Sequence, residues 1–238
     1  MSSLTCRDLT VGYGKLAVGR DLDLEIHGGE VMALLGPNGA GKTTIMLTLA
    51  GLIPLLGGSM ELDGAPLKGG SARAANKAGV VLVPDTRALF TQLTTTENLD
   101  VAASPGGPGI DTVLDYFPAL RTRAKIKTGM LSGGEQQQLA VARALVQGPK
   151  VLLIDEMSMG LAPIIVEQLM PIVRNIADDS GAAVVLVEQH VRLALEIADR
   201  AMVLVHGTIT LSGSAEELRA QPERLESAYL GDTVQAHA

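Results

Sequence analysis

Tryptophan is absent from the 238 residues, and only three Tyr and two Phe are present. An aromatic core is therefore excluded, and Val, Leu, Ile, Ala and Met must fill the interior. The single Cys6 cannot close an internal disulfide, which fits a reducing compartment. No apolar run approaches the roughly 18 residues of a membrane span. Positive charge is scarce: 19 Lys and Arg face 26 Asp and Glu, for a net charge of −7. That balance argues against a general nucleic-acid binder, because phosphate affinity comes from Lys and Arg. The opening "MSSLTCRDLT" has no basic start followed by an apolar core, so no signal peptide is expected. The expectation is a soluble chain that docks on a membrane protein.

What is present is a series of short apolar blocks: "VMALL" (31–35), "GVVLVP" (79–84), "VLLID" (151–155), "AAVVLVE" (182–188) and "AMVLV" (201–205). They are rich in β-branched residues and show no polar alternation, as strands of a parallel sheet covered on both faces do. Helical patterns fall between them, in 162–179 and 191–200. This alternation predicts an α/β fold. The first thirty residues alternate polar and apolar positions and predict an antiparallel β edge, with further edge strands at 58–64 and 207–213. Residues 86–150 hold no strand-like block. Helices are expected after "TTT" (94–96), over 110–120 and over 133–147, with "SPGGPG" (104–109) as a loop. We expect one domain over 1–238, with a helical subdomain at about 86–150 inserted in the core. Cys6 and the Met residues are expected in the core.

Three glycines among the nine residues of "GPNGAGKTT" (36–44) exceed what a chain reversal needs. Gly36, Gly41, Lys42 and Thr43 match G-x-x-x-x-G-K-[ST], with a strand before and a helix after. Such a loop turns consecutive backbone N–H groups inward as an anion nest. The helix N-terminus behind it favours phosphate. Lys42 is placed to reach the β- and γ-phosphates, and the Thr43 hydroxyl to meet Mg²⁺. "VLLIDE" ends a buried strand with Asp155 and Glu156. Asp in this position holds Mg²⁺ in P-loop proteins, and the adjacent Glu can act as general base toward water.

"LSGGEQQQLAVARAL" (131–145) opens a second helix with Ser132, Gly133 and Gly134. Alone, Ser with Glu three residues on is simply a capped helix start. About twenty residues before Asp155, it resembles the signature of ABC-type ATPases, and the resemblance covers nearly the whole chain. The fold it implies is a P-loop ABC nucleotide-binding domain with a RecA-like core. It also implies that two ATP molecules are sandwiched head to tail, the signature of one copy covering the γ-phosphate in the other's P-loop. By the same resemblance Asn38, Gly39 and Thr44 belong to the nucleotide loop, and Tyr13 stacks on adenine. His190 matches the histidine that contacts γ-phosphate. Read without the resemblance, Tyr13 is an edge-strand tyrosine and His190 a structural histidine.

The chain departs from the family pattern at Asp85, at Met157 and in the following loop, which has Ala162 and lacks the Asp common there. Asp85 stands where most ABC ATPases carry Gln; in the amino-acid importer branch Glu is frequent. Asp is shorter by about 1.5 Å, one carbon–carbon bond, so its contact with Mg²⁺ is expected to be weak or water-mediated. Met157 replaces the usual Pro, which is expected to aim Glu156 less rigidly. Within the family, "LFTQLTTTENL" (89–99), "DEMSMGLAPIIVEQL" (155–169), "VLVEQH" (185–190) and "YLGD" (229–232) resemble the smaller ATPase subunit of branched-chain amino acid importers. "GLAP" is also typical of some lipopolysaccharide transport ATPases. The resemblance implies multi-span permease subunits, a second ATPase copy or paralogue and, indirectly, a solute-binding protein as partners, at the cytoplasmic face of the membrane. The helical subdomain and the Asp85 loop would form the docking groove. Importers of urea or amides, a soluble ABC ATPase acting on DNA or ribosomes, and a poorly hydrolysing regulatory module are the rival readings.

Overall fold

The computed structural model describes residues 3–229. Two sheets form its frame. The larger is built from β3 (Val31–Leu35), β6 (Val80–Val83), β7 (Val151–Asp155), β8 (Ala183–Val187), β9 (Arg200–Val205) and β10 (Thr208–Ser214), in the order β10-β9-β3-β8-β7-β6. All neighbours are parallel except the hairpin of β9 and β10. Every residue of β3, β7 and β8 is buried, which is why these strands read as unbroken apolar runs.

The smaller sheet runs β2 (Leu16–His27), β1 (Ser3–Tyr13), β4 (Gly57–Leu62), β5 (Ala65–Pro66), all antiparallel. In β2 the buried Leu22, Leu24 and Ile26 alternate with exposed Asp21, Asp23 and Glu25. The antiparallel strands thus make a sheet of their own rather than an edge of the parallel one. Nor is the 58–64 segment an edge: β4 lies between β1 and the two-residue β5. Of these two segments only 207–213, as β10, closes an edge.

Alternate side chains of the central strands point to opposite faces. Met32, Leu34, Leu153 and Val185 face the small sheet and α1 (Lys42–Leu49), through Ile45, Met46 and Leu49. On the same side α2 (Ala72–Ala78) contributes Ala75. Val31, Ala33, Leu152, Ile154 and Leu186 face the other helices. These are α3 (Thr95–Ala102), α4 (Ile110–Tyr116), α5 (Pro118–Thr122), α6 (Gly133–Leu145), α7 (Pro163–Ser180), α8 (Val191–Ile197), α9 (Ala215–Ala220) and α10 (Pro222–Tyr229).

The 110–120 helix is two helices. Pro118 disfavours helical backbone at the residue before it, and Phe117 sits at φ −131°, ψ 65°, its ring buried. The 191–200 helix stops at Ile197, and Arg200 already belongs to β9. Cys6 is buried as expected, but Met130 and Met159 are exposed, at 78% and 48%. Met130 ends a 3-10 turn (Thr128–Met130) whose Thr128 points inward, and Met159 lies in the turn after β7. In the 86–150 region Asn98, fully buried, ties the start of α3 to the preceding loop. It accepts from the Phe90 N–H and donates to the Phe90 and Thr94 carbonyls and the Thr128 hydroxyl. Among the described residues no helix is long and apolar enough to cross a membrane.

Candidate functional site

Strand order decides which loops meet. β3, β8, β7 and β6 are parallel neighbours, so their C-terminal ends share one edge of the sheet, where α/β proteins bind ligands. From that edge leave 36–41 after β3, Glu188–His190 after β8, Glu156 after β7 and Asp85 after β6. A cavity of about 330 Å³ opens there, with Lys42, Thr43, Glu156 and Gln189 among its lining.

The glycine loop has the backbone this demands. Gly36, Gly39 and Gly41 take φ of 144°, 80° and 109°. At Gly36 a Cβ would lie 2.1 Å from the Leu204 carbonyl oxygen, so no other residue fits. No side chain caps the N-terminus of α1, which leaves its first N–H groups free to face the cavity. Asn38, Gly39, Gly41 and Thr44 line the same cavity. Lys42 is 4% exposed, and its Nζ donates to the Gly36 and Pro37 carbonyls at 2.8 and 3.0 Å. Burial pushes the Lys42 ammonium below its usual range, and the nearby Glu156 and Asp155 charges pull it back.

Asp155 ends β7 at 2% exposure. Burial pushes its carboxyl up to about 6; the Thr43 hydroxyl opposes that shift, and Glu156 and Asp85 add to it. Its Oδ1 has no hydrogen-bond partner. A buried carboxylate oxygen without a donor, beside a hydroxyl and an open cavity, suits a divalent cation. Among the described residues no group of three or more His, Cys, Asp or Glu could hold a metal by itself.

Glu156 adopts φ 48°, a conformation rare for a non-glycine residue and concentrated at functional sites. Its N–H donates to the Val187 carbonyl, and its Oε2 accepts from the Gln189 side chain at 3.1 Å. Gln189 and Val18 line the cavity without having been expected. The clue for Gln189 was its place two residues past the end of β8; Val18 carried none. Tyr229 was likewise missed as a site neighbour: its hydroxyl accepts from the Gly36 N–H at 3.0 Å. The rest of the "YLGD" motif, 230–232, lies outside the described residues.

Other expected residues are absent from the lining of this cavity. Tyr13 ends β1 at 51% exposure. His190 is exposed at the N-cap of α8. Asp85 is exposed, and its Oδ1 accepts from the Thr86 N–H. Ser132 caps α6: its hydroxyl accepts from the Glu135 N–H, and Glu135 Oε2 accepts from the Ser132 N–H. The capping-box reading of "SGGE" therefore holds. Exposed Gly133 approaches Leu161, and Gly134 packs on Ile165. Met157 is wholly buried.

The family described as ABC transporter matches residues 20–159. The high-affinity branched-chain amino acid transport ATP-binding protein BraG of Pseudomonas aeruginosa is 39% identical, over 92% of this chain and 95% of BraG. The lipopolysaccharide export system ATP-binding protein LptB of Escherichia coli K12 is 30% identical, with 98% of each chain covered. A solved ATP-binding cassette of an ABC transporter, in its ADP conformation, superposes with a TM-score of 0.83 at 21% identity, covering 97% of this chain and 99% of that one. Fold, loop and family agree: the chain belongs to the ATP-binding subunits of ABC transporters, a family of ATPases.

Proposed function

We propose that this chain is the ATP-hydrolysing subunit of an importer for branched-chain or related amino acids. The observation that carries the chemistry is the cavity shared by the glycine loop, Lys42, Thr43 and Glu156. The likeness to BraG over nearly the whole chain supports the solute class. Lys42 and the N–H groups of Gly39, Gly41, Thr43 and Thr44 hold the phosphates, with Gly36 and Asn38 shaping the loop. Thr43 and Asp155 are the residues to hold Mg²⁺, with Asp85 acting from farther out. The cation neutralises phosphate charge when bound. Glu156 takes the proton of the attacking water, and His190 and Lys42 stabilise charge on the γ-phosphate. Tyr13, exposed at the end of β1, stacks on adenine.

Ser132, Gly133 and Gly134 lie outside the cavity lining of their own chain. In our reading they serve the γ-phosphate of a second ATPase copy or paralogue. The chain acts as one nucleotide-binding domain whose 86–150 helical subdomain, with the Asp85 loop, docks multi-span permease subunits at the cytoplasmic face of the membrane. A solute-binding protein then supplies the solute from outside. The likeness to LptB favours a second reading, export, at lower identity.

The test is to purify the chain from gently solubilised native membranes and identify what accompanies it. Permease subunits, a second ATPase and a solute-binding protein support import. Permeases without a binding protein favour export, and only ribosomes, DNA or soluble partners overturn the transporter role. In parallel, Glu156→Gln should bind ATP, hydrolyse it at least about 100-fold more slowly and accumulate as a dimer, with itself or with its paralogue. Wild-type turnover in this variant would remove Glu156 from the role of base.

A further inference from the structure

β8 lies between the strand that carries the glycine loop and the strand that ends in Asp155. The first residue after it, Glu188, is a carboxylate at 0% exposure. Nothing in the nucleotide chemistry above uses it, and it does not line the cavity. A charge buried that deeply is strongly destabilising unless it is paired or fully hydrogen-bonded.

Its bonds are specific. Oε1 accepts from the Ser158 N–H at 2.9 Å, and Oε2 from the Ser158 hydroxyl at 2.5 Å. Oε2 also accepts from the N–H of Gln189 at 3.2 Å. Ser158 is two residues beyond Glu156, and Gln189 is the residue whose side chain donates to the Glu156 carboxylate. The bonds close a ring: Glu156, through Met157 to Ser158, to Glu188, to Gln189, and back to Glu156. The Glu156 N–H on the Val187 carbonyl braces the same ring. Glu156 is held at a positive φ, a geometry that persists only where its surroundings over-determine it.

We propose that Glu188 is a positioning residue for hydrolysis: its buried carboxylate clamps the loop after Glu156 to the loop before His190 and so aims the general base. The inference rests on reading Glu156 as the base. The Glu156→Gln experiment tests that reading separately, so the two can fail independently.

The test measures single-turnover ATP hydrolysis, ATP affinity and Tm for three variants of the full chain. Glu188→Ala is expected to slow single-turnover hydrolysis by about 10–100-fold, the cost of misplacing a reacting group by about 1 Å, with the Kd for ATP within about twofold of wild type. Glu188→Gln can still accept from the Ser158 N–H and donate to its hydroxyl, but its NH₂ cannot accept from the Gln189 N–H, so its rate is expected to fall between those of Glu188→Ala and wild type, with Kd unchanged. Ser158→Ala removes only the side-chain bond, so it gives a readable result even where Glu188→Ala does not fold. It is expected to lose several-fold in rate with the Kd unchanged. An unchanged rate in Ser158→Ala, or a slower rate accompanied by a raised Kd and a lowered Tm, would overturn the proposal.

Discussion

At the residue scale, two buried groups show how one variable, loss of water, serves opposite ends. Lys42 is buried against two carbonyls of its own loop, with two carboxylates near. Its ammonium is desolvated in advance, so a phosphate has little water to displace from it. Lys42→Ala is expected to raise the Kd for ATP by about 10–100-fold, since a hydrogen bond to a charged group contributes about 1.5–3 kcal/mol. Calorimetric titration measures this directly. Cys6 is buried among apolar side chains of the small sheet, and burial pushes its thiol up to about 12. Only the thiolate reacts, so labelling at pH 8 should be about a thousandfold slower in the native chain than in the denatured one. Fast labelling of native protein would show that β1 opens readily. The glycine loop was legible because positive φ and close backbone approach demand glycine at fixed spacing. Glu188 and Gln189 were not, because a Glu or Gln after a strand acquires its role from what the neighbouring strand brings beside it.

At the scale of elements, α7 carries Pro171 in its interior, on its exposed side. Proline there removes a helix hydrogen bond and costs about 3 kcal/mol relative to Ala. Pro171→Ala should raise Tm by roughly 5 °C or more, at about 2–4 °C per kcal/mol for a chain of this size; differential scanning calorimetry checks it. An unchanged Tm would show that α7 already accommodates the ring by bending. The break between α4 and α5 places Phe117, 1% exposed, in the core. Phe117→Ala is expected to cost about 3–5 kcal/mol in urea denaturation, the range for large-to-small core changes. The buried strands were legible because both faces are covered. The helix break was signalled only by Pro118, and an apolar pattern that runs on through it outweighs a single residue in any reading by periodicity. The separate small sheet was illegible for another reason: alternation says that a strand has one dry face, and is silent about which sheet it joins.

For the whole molecule, ligand binding and folding are linked. A nucleotide that binds only the folded chain adds about 2.7 kcal/mol of stability at 100 times its Kd. ATP with Mg²⁺ should therefore raise Tm, and chelating the cation should reverse much of that rise. ATP without a magnesium-dependent shift would remove Thr43 and Asp155 from the cation's coordination.

The sequence by itself determined the class of fold, the glycine loop, the two acids at the end of β7 and the capped helix that opens at Ser132. Each depends on residues adjacent in the chain, where φ, charge and periodicity act locally. The tertiary structure alone decided which loop ends face one another. Placing β8 between β3 and β7 brings Glu188 and Gln189 against the Glu156 loop, residues about thirty positions away in the chain. Hydrogen bonds between such distant partners are set by strand order, and strand order follows from burying two faces of one sheet at once.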